Sequence, residues 1–220
     1  MTERPILFRD WEVRAILDGR KTQTRRVMKV QPYPDSIVTV EHYHPTVIDR
    51  HGDMQPGKEI FGAHWDDGER GLRCPYGAPG DALWVRETWC QGADDGRQVP
   101  LRMATLYRAD GEHVTLSDGD GFMQTNRDGS EKSPWRPSIH MPRRASRITL
   151  RITDVRVERL QDISEDDARA EGWPGPFTET GFPIASPLAW FANVWTNING
   201  PSAWDANPWV WVIAFERVKL

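Results

Sequence analysis

Residues 19–26 read Gly19-Arg20-Lys21-Thr22-Gln23-Thr24-Arg25-Arg26. They follow a short amphipathic run in which Asp10 is suited to be a helix N-cap and Gly19 to be the left-handed residue after the helix. Between residues 14 and 29, six cations face one anion, Asp18, in a chain whose net charge is -4. The stretch therefore predicts either a cation-rich binding site or a solvated helix end whose dipole the cations stabilise.

The composition bounds the class of protein. A length of 220 residues allows one large domain or two small ones and is ample for a core. No apolar run is long enough to cross a bilayer, and the first residues lack the apolar segment of a secretion signal, so we expect a cytoplasmic protein with no membrane partner. The two cysteines, Cys74 and Cys90, are too few for a zinc site and are not spaced as a redox pair.

Four histidines between residues 42 and 64 are the candidate metal ligands. In a strand that Pro45 ends, His42 and His44 would share one face. Neither His51 nor His64 follows at the spacing of a metal motif, and histidines on a solvated loop are the commoner case. We therefore predict no metal and no cofactor.

Aromatic residues are unusually frequent, with eleven tryptophans, nine of them beyond the first third of the chain. Tryptophans usually pack in cores, but they also form platforms for flat rings such as nucleobases. Trp135, Arg136 and His140 belong to a second basic stretch, residues 135–147. This stretch predicts either a loop of solvated arginines or a basic rim over a pocket, with Trp135 and His140 facing a ligand.

Hydrophobic periodicity gives the remaining elements. We predict strands at residues 5–8, 82–89, 148–160 (with a bulge near Asp154) and 209–215, and helices at residues 164–172 and 187–199. Ser164 is the expected cap of the first of these helices. Glu87 falls on the apolar face of its strand, so it lies either at the wet end of the strand or beside a cation. Residues 31–79 and 91–134 are polar and rich in turn residues, which indicates insertions with short strands of their own, such as residues 36–43 and 101–109.

This order of elements resembles the ASCH domain of the PUA-like superfamily, and most closely the larger ASCH proteins of phages and prophages. The motifs most specific to this resemblance are Gly-x-Lys-x-x-Thr-Arg at residues 19–25 and Pro79-Gly80-Asp81 before the strand that runs to Trp89. Residues 163–171 and 209–215 support it. The resemblance implies an α+β fold: one domain over residues 1–220, built as a PUA-like mixed β-barrel flanked by short helices, with insertions at about 31–79 and 91–134.

Small bacterial ASCH enzymes hydrolyse the amide of N4-acetylcytidine with a lysine, a threonine and a glutamate, which match Lys21, Thr24 and Glu171 here. A threonine hydroxyl attacks an amide only after a base takes its proton. A lysine is that base only when neutral, a state favoured by burial and by neighbouring cations. Glu171 would orient the amine or shuttle a proton to the leaving group. The expected substrate-binding residues are Arg20, Arg25, Arg26, Glu87, Trp89, Trp135, Arg136 and His140.

Other functions remain open, because relatives in the family are described as ribonucleases or as readers of modified bases. The alternatives are a reader that binds a modified base in DNA or RNA, a ribonuclease, and a phage accessory protein whose aromatic residues bind a protein. Glu87 competes with Glu171 for the acidic role. The expected partner is a modified pyrimidine nucleoside or single-stranded nucleic acid, bound at a positive opening; the oligomeric state is left open.

Overall fold

A computed structural model describes residues 2–66, 70–93, 103–111, 113–116, 135–177, 183 and 186–218. The strands are β1 (Glu3–Leu7), β2 (Gln23–Val27), β3 (Thr39–Tyr43), β4 (Thr46–Ile48), β5 (Met54–Pro56), β6 (Ile60–Trp65), β7 (Arg70–Arg73), β8 (Ala82–Arg86), β9 (Trp89–Ala93), β10 (Met103–Tyr107), β11 (His113–Leu116), β12 (Thr149–Arg159) and β13 (Trp209–Arg217). The α-helices are α1 (Asp10–Leu17), α2 (Glu165–Ala170) and α3 (Pro187–Asn199). The mixture of many strands with a few helices confirms the α+β class. No helix in this part of the chain is long and apolar enough to span a membrane.

A five-stranded mixed sheet in the order β1-β8-β12-β13-β2 forms the centre of the fold. β1 runs parallel to β8, and the other neighbours are antiparallel. The register between β12 and β13 shifts between Ile152 and Asp154, which confirms the bulge predicted there. The edge strands β1 and β2 do not pair with each other, so the described strands form no closed barrel.

β13 is buried on both faces, as its continuous apolar sequence predicts. Alternate residues, including Trp211 and Ile213, face the main core beside α1. The residues between them, Val210 and Val212, pack in a second cluster with α2 and α3. β13 therefore separates two hydrophobic layers, and β2 pairs with it as the edge strand of the sheet.

The helix ends largely follow the sequence signals. Gly19 has a φ of 75°, as expected for the residue after α1. The Ser164 hydroxyl accepts a hydrogen bond of 3.1 Å from the Asp167 N–H and caps α2. The prediction of Asp10 as N-cap was wrong: Arg9 holds that position, because the Glu12 carboxylate accepts the Arg9 N–H at 2.9 Å and so satisfies the first turn.

The two expected insertions differ in how they join the fold. Residues 31–79 contain β3 to β7, in small sheets ordered β3-β6-β7 and β4-β5. Trp65 and Cys74 from this segment are buried in the main core, so it is packed rather than appended. The strand predicted at residues 82–89 is split, because β8 ends at Arg86 and β9 begins at Trp89. β9 pairs with β10, and β10 with β11, while much of residues 91–134 lies outside the described residues.

Candidate functional site

A cavity of about 380 Å³ opens among α1, β2 and α3. Its aromatic lining residues are Phe8, Trp11, Phe191 and Trp195, and its buried charged lining residues are Glu12, Lys21, Arg25 and Glu171. Leu7, Arg9, Arg26, Val27, Ser138, Val194, Ile198 and Asn199 complete the lining. The cavity thus combines flat apolar surfaces with charged groups that water scarcely reaches, the combination typical of small-molecule sites.

Lys21 and Glu171 meet in this cavity although 150 positions separate them in sequence. The Arg20 and Lys21 backbone N–H groups both donate to the Ala15 carbonyl, at 2.8 and 2.9 Å, and turn the chain sharply after α1. Lys21 then forms an isolated bridge with Glu171, which follows α2. Lys21 Nζ lies 2.8 Å from Glu171 Oε2 and donates to the Glu171 carbonyl at 2.9 Å. The side chains are 1% and 4% exposed, so this is a buried pair and not a solvated helix end.

A second carboxylate faces the same lysine. Glu12 Oε1 lies 3.5 Å from Lys21 Nζ, and its side chain is only 7% exposed. The ammonium group is also near the rings of Phe8 and Trp11, at 5.7 and 5.8 Å from their centroids. Glu12 was not among the site residues predicted from the sequence. The available signal was an acid beside Val13 on the apolar side of a short helix, where a carboxylate needs a partner.

Arg25 ties Glu171 to a wider network of charges. Its guanidinium, with a side chain 0% exposed, contacts Glu171 at 3.2 Å, Asp167 at 3.1 Å and Glu158. Arg156 contacts the same Asp167 and Glu158, each at 3.0 Å. Burial acts to raise the pKa of Asp167, but the two guanidinium groups outweigh it and hold that pKa below its usual value. Arg25 is therefore a structural link between the cavity and the outer side of α2.

Thr24 is fully buried on β2, opposite Ile213 of β13. Its hydroxyl has no hydrogen-bond partner among the described residues, and Thr24 is not one of the residues that line the cavity. The alternation of β2 places it on the face opposite to Arg25. The structure thus joins Lys21 with Glu171 but does not join Thr24 to Lys21 by a hydrogen bond.

The other two arginines of residues 19–26 donate hydrogen bonds to acceptors on the protein itself. Arg20 is exposed and donates to the Gly172 carbonyl at 3.1 Å and to Asp18 at 2.8 Å. Arg26 lines the cavity and donates to the carbonyls of Leu7 and Arg25, at 2.8 and 3.2 Å. Arg26 is therefore placed to contact a ligand, whereas Arg20 is outside the cavity lining.

Glu87 and Trp89 belong to a different cluster. Glu87 is buried and accepts two hydrogen bonds from Arg147, at 3.0 and 2.9 Å, so it is paired with a cation, one of the two environments expected for it. Burial raises the pKa of Glu87, although Arg147 opposes the shift. Trp89 packs with Tyr107 and Met141. Neither predicted ligand-binding residue is in the cavity lining.

The second basic stretch reaches the cavity only through Ser138, which begins a short 3-10 turn ending at His140. His140 and Arg136 are exposed, and Trp135 is half-buried, but all three lie outside the cavity lining. The Arg136 guanidinium lies 5.2 Å from the Trp89 ring centroid. Among the described residues of this stretch, no cation lines the cavity, so the expected basic rim is not formed there.

No family model, curated protein or solved structure matches this chain. The ASCH assignment accordingly stays a prediction, and the chemistry of the site rests on its geometry. An ammonium held between two buried carboxylates at a cavity is suited to proton transfer or to binding a polar ring. Within the described residues no group of three or more His, Cys, Asp or Glu side chains is arranged to hold a metal ion.

Proposed function

We propose that this protein binds a pyrimidine nucleoside and hydrolyses an acyl group from the exocyclic amine of cytidine. The observation that carries the proposal is the buried Lys21–Glu171 pair in a cavity with aromatic walls. In the reaction, the amide C–N bond breaks and water is added, which gives cytidine and a carboxylic acid. Both products are small enough for such a cavity, since small-molecule sites typically span about 300–1,000 Å³.

The aromatic residues supply the binding surface. Phe8 and Trp11 lie on the side of α1, and Phe191 and Trp195 on the side of α3. Flat rings between such walls favour a planar base, because stacking on an aromatic side chain contributes about 1–3 kcal/mol per base. A base between these walls has its polar edge beside Lys21 and the acids.

Proton transfer is the proposed role of Lys21 and Glu171. The Glu171 carboxylate takes a proton from the attacking hydroxyl, and the Lys21 ammonium gives one to the nitrogen of the leaving cytidine. A proton passing from Glu171 to Lys21 along their 2.8 Å contact restores both groups. Arg25 holds the other oxygen of Glu171 and so fixes the orientation of the carboxylate.

The attacking hydroxyl is either Thr24, as the family resemblance implies, or a water molecule. A buried hydroxyl without a partner costs about 1–3 kcal/mol, and a reactive role accounts for such a cost at Thr24. Attack by Thr24 forms a threonine ester that water then hydrolyses. It requires the Thr24 side chain to reach the cavity, whereas attack by water does not.

Hydrolysis of N4-acetylcytidine, followed by liquid chromatography with mass spectrometry, tests the proposal. We expect turnover by the wild type. In Glu171→Gln the rate should fall about 100-fold or more, because a general acid–base group contributes that much to the rate. Glu165→Gln, an exposed acid on α2, is the matched control and should retain the rate. Absence of turnover across a panel of N4-acylcytidines would contradict the proposal.

Thr24→Val separates the two nucleophiles, because valine has nearly the shape of threonine and lacks the hydroxyl. Loss of turnover together with an acyl adduct on the wild-type protein, detected by intact mass, supports Thr24. Retained turnover in Thr24→Val assigns the attack to water.

A reader of modified bases is the second candidate. It is favoured by the absence of a hydrogen bond between Lys21 and the Thr24 hydroxyl, and by the commitment of Lys21 Nζ to Glu171. Measurable nucleoside or oligonucleotide binding without turnover would select this candidate. For the fold, we propose that the five-stranded sheet is the central part of a PUA-like domain, on the strength of the element order.

A further inference from the structure

Most hydrogen-bond donors of the two buried cations of the cavity, Lys21 and Arg25, are directed at the protein. Lys21 Nζ donates to the Glu171 carbonyl at 2.9 Å and to the Glu171 carboxylate at 2.8 Å, and it lies 3.5 Å from Glu12 Oε1. Both terminal nitrogens of Arg25 donate to carboxylates, whereas its Nε has no hydrogen-bond partner among the described residues. A ligand that needs Lys21 Nζ or a terminal nitrogen of Arg25 as its donor must therefore break one of these ion pairs.

Glu12, in contrast, retains free positions that can accept hydrogen bonds from a ligand. A carboxylate has about four lone-pair positions. In the described part of the chain, the Glu12 carboxylate accepts one hydrogen bond, from the Arg9 N–H at 2.9 Å, besides its 3.5 Å contact with Lys21. Glu12 lines the cavity and is 7% exposed, so its remaining lone pairs are poorly supplied by water. A ligand group that donates an N–H satisfies them, and an anionic group is repelled.

We propose that Glu12 accepts a hydrogen bond from the exocyclic N–H of a cytosine-type ring and thereby selects cytidine over uridine. A carboxylate is a suitable partner for the amine of cytosine. Uracil presents a carbonyl oxygen at the same position. The carbonyl and the Glu12 carboxylate are both acceptors, so neither gains a hydrogen bond from the other in a site shielded from water. The inference rests on the proposed function for its ligand class and adds the residue that sets the base preference.

Calorimetric titration with cytidine and with uridine tests the role of Glu12. Glutamine at this position keeps an oxygen for the Arg9 N–H, so Glu12→Gln preserves the helix cap while it removes the charge. We expect the wild type to prefer cytidine by about 10- to 100-fold, the range for a hydrogen bond to a charged group. Glu12→Gln should lose most of this preference through weaker cytidine binding, and Glu165→Gln, the exposed control, should keep it.

A second measurement needs no variant and so does not depend on the folding of Glu12→Gln. N4,N4-dimethylcytidine has no N4–H, and the wild type should bind it about as weakly as uridine. The inference is overturned if the wild type binds cytidine and uridine equally or binds neither. It is also overturned if Glu12→Gln weakens both ligands by the same factor, which is the result of a purely structural role.

Failure of this inference is distinguishable from failure of the proposed function. Hydrolysis of N4-acetylcytidine without any Glu12-dependent preference would leave the hydrolase and remove the role of Glu12. Preference for cytidine that depends on Glu12, without hydrolysis of any acylcytidine, would leave the recognition and remove the reaction.

Discussion

Replacing Lys21 by methionine should destabilise the folded chain strongly, because Lys21 is the cation between two buried carboxylates. Methionine retains most of the volume of the aliphatic stem, so the change removes charge without opening a large cavity. Glu171 keeps its contact with Arg25 at 3.2 Å. Glu12 loses the cation beside it, and its side chain is 7% exposed. The expected loss is therefore dominated by a carboxylate that is buried and no longer paired.

The burial of the pair sets the magnitude. Removing one partner of a buried ion pair costs about 3–5 kcal/mol, and we expect about 3 kcal/mol here because Arg25 still compensates Glu171. At about 2–4 °C per kcal/mol for a chain of this size, Tm should fall by about 6–12 °C. The adjacent Arg20 supplies the control: its pair with Asp18 has side chains 38% and 56% exposed, so Arg20→Met should cost no more than about 1 kcal/mol.

Urea unfolding at pH 7, followed by tryptophan fluorescence, measures both variants on the same scale. The slope of the free energy of unfolding against urea should be unchanged, so that the midpoints report stability alone. A loss below about 1 kcal/mol for Lys21→Met would place the pair in the range of solvated ion pairs. That result would refute the claim that Lys21 and Glu171 are shielded from water, and with it the basis of the proposed site.

Two further predictions follow from the conformation and charges of other residues. Gly172 has a φ of 105°, and a Cβ there would lie 3.0 Å from Ala15 and 3.2 Å from Lys21, so Gly172→Ala should lower the melting temperature more than Gly175→Ala, which has a similar φ (114°) and no atom within 4 Å. Equal losses in calorimetric scans of the two variants would show that the contact with Lys21 is not tight. Burial raises the pKa of Glu87 against the effect of Arg147, so the folded state favours the protonated carboxyl. Its contribution to stability is therefore present below the ordinary glutamate pKa of about 4.3 and is lost as the pH rises through the raised value. Urea titrations between pH 4 and 7 should show this decline in the wild type and a smaller one in Glu87→Gln; identical pH profiles would count against it.

Local sequence patterns predicted the elements whose shape depends on neighbouring residues in the chain. The bulge near Asp154 was visible because the apolar alternation shifts by one residue, and the Ser164 cap because acids follow it in the first turn of α2. The apolar run of β13 indicated burial on both faces. The N-cap of α1 was predicted one residue too late. Asp10 is a residue type that favours this position, but the hydrogen bond from the Arg9 N–H to the Glu12 carboxylate starts the helix after Arg9.

The candidate site was only partly predictable. Lys21 and Glu171 were paired through the family resemblance, because no local pattern connects residues 150 positions apart. Glu158 could not be assigned to Arg25 from sequence, since the contact depends on how β12 lies beside β2 and α2. The same limit applies to the aromatic wall of α3: its helical spacing predicted a buried face but not that Phe191 borders a cavity.

The buried charges are difficult to explain by stability alone. Taking ions out of water costs several kcal/mol each, and well-packed apolar side chains of similar volume often hold two elements together as firmly. Here Lys21, just before β2, and Arg25 on β2 form ion pairs with Glu171 at the end of α2, and all three residues line the cavity. Placing charges where a ligand can reach them gives them a use that an apolar interface lacks. The network beyond the cavity then serves to hold the Glu171 carboxylate in one orientation, since Arg25 is itself fixed by Asp167 on α2.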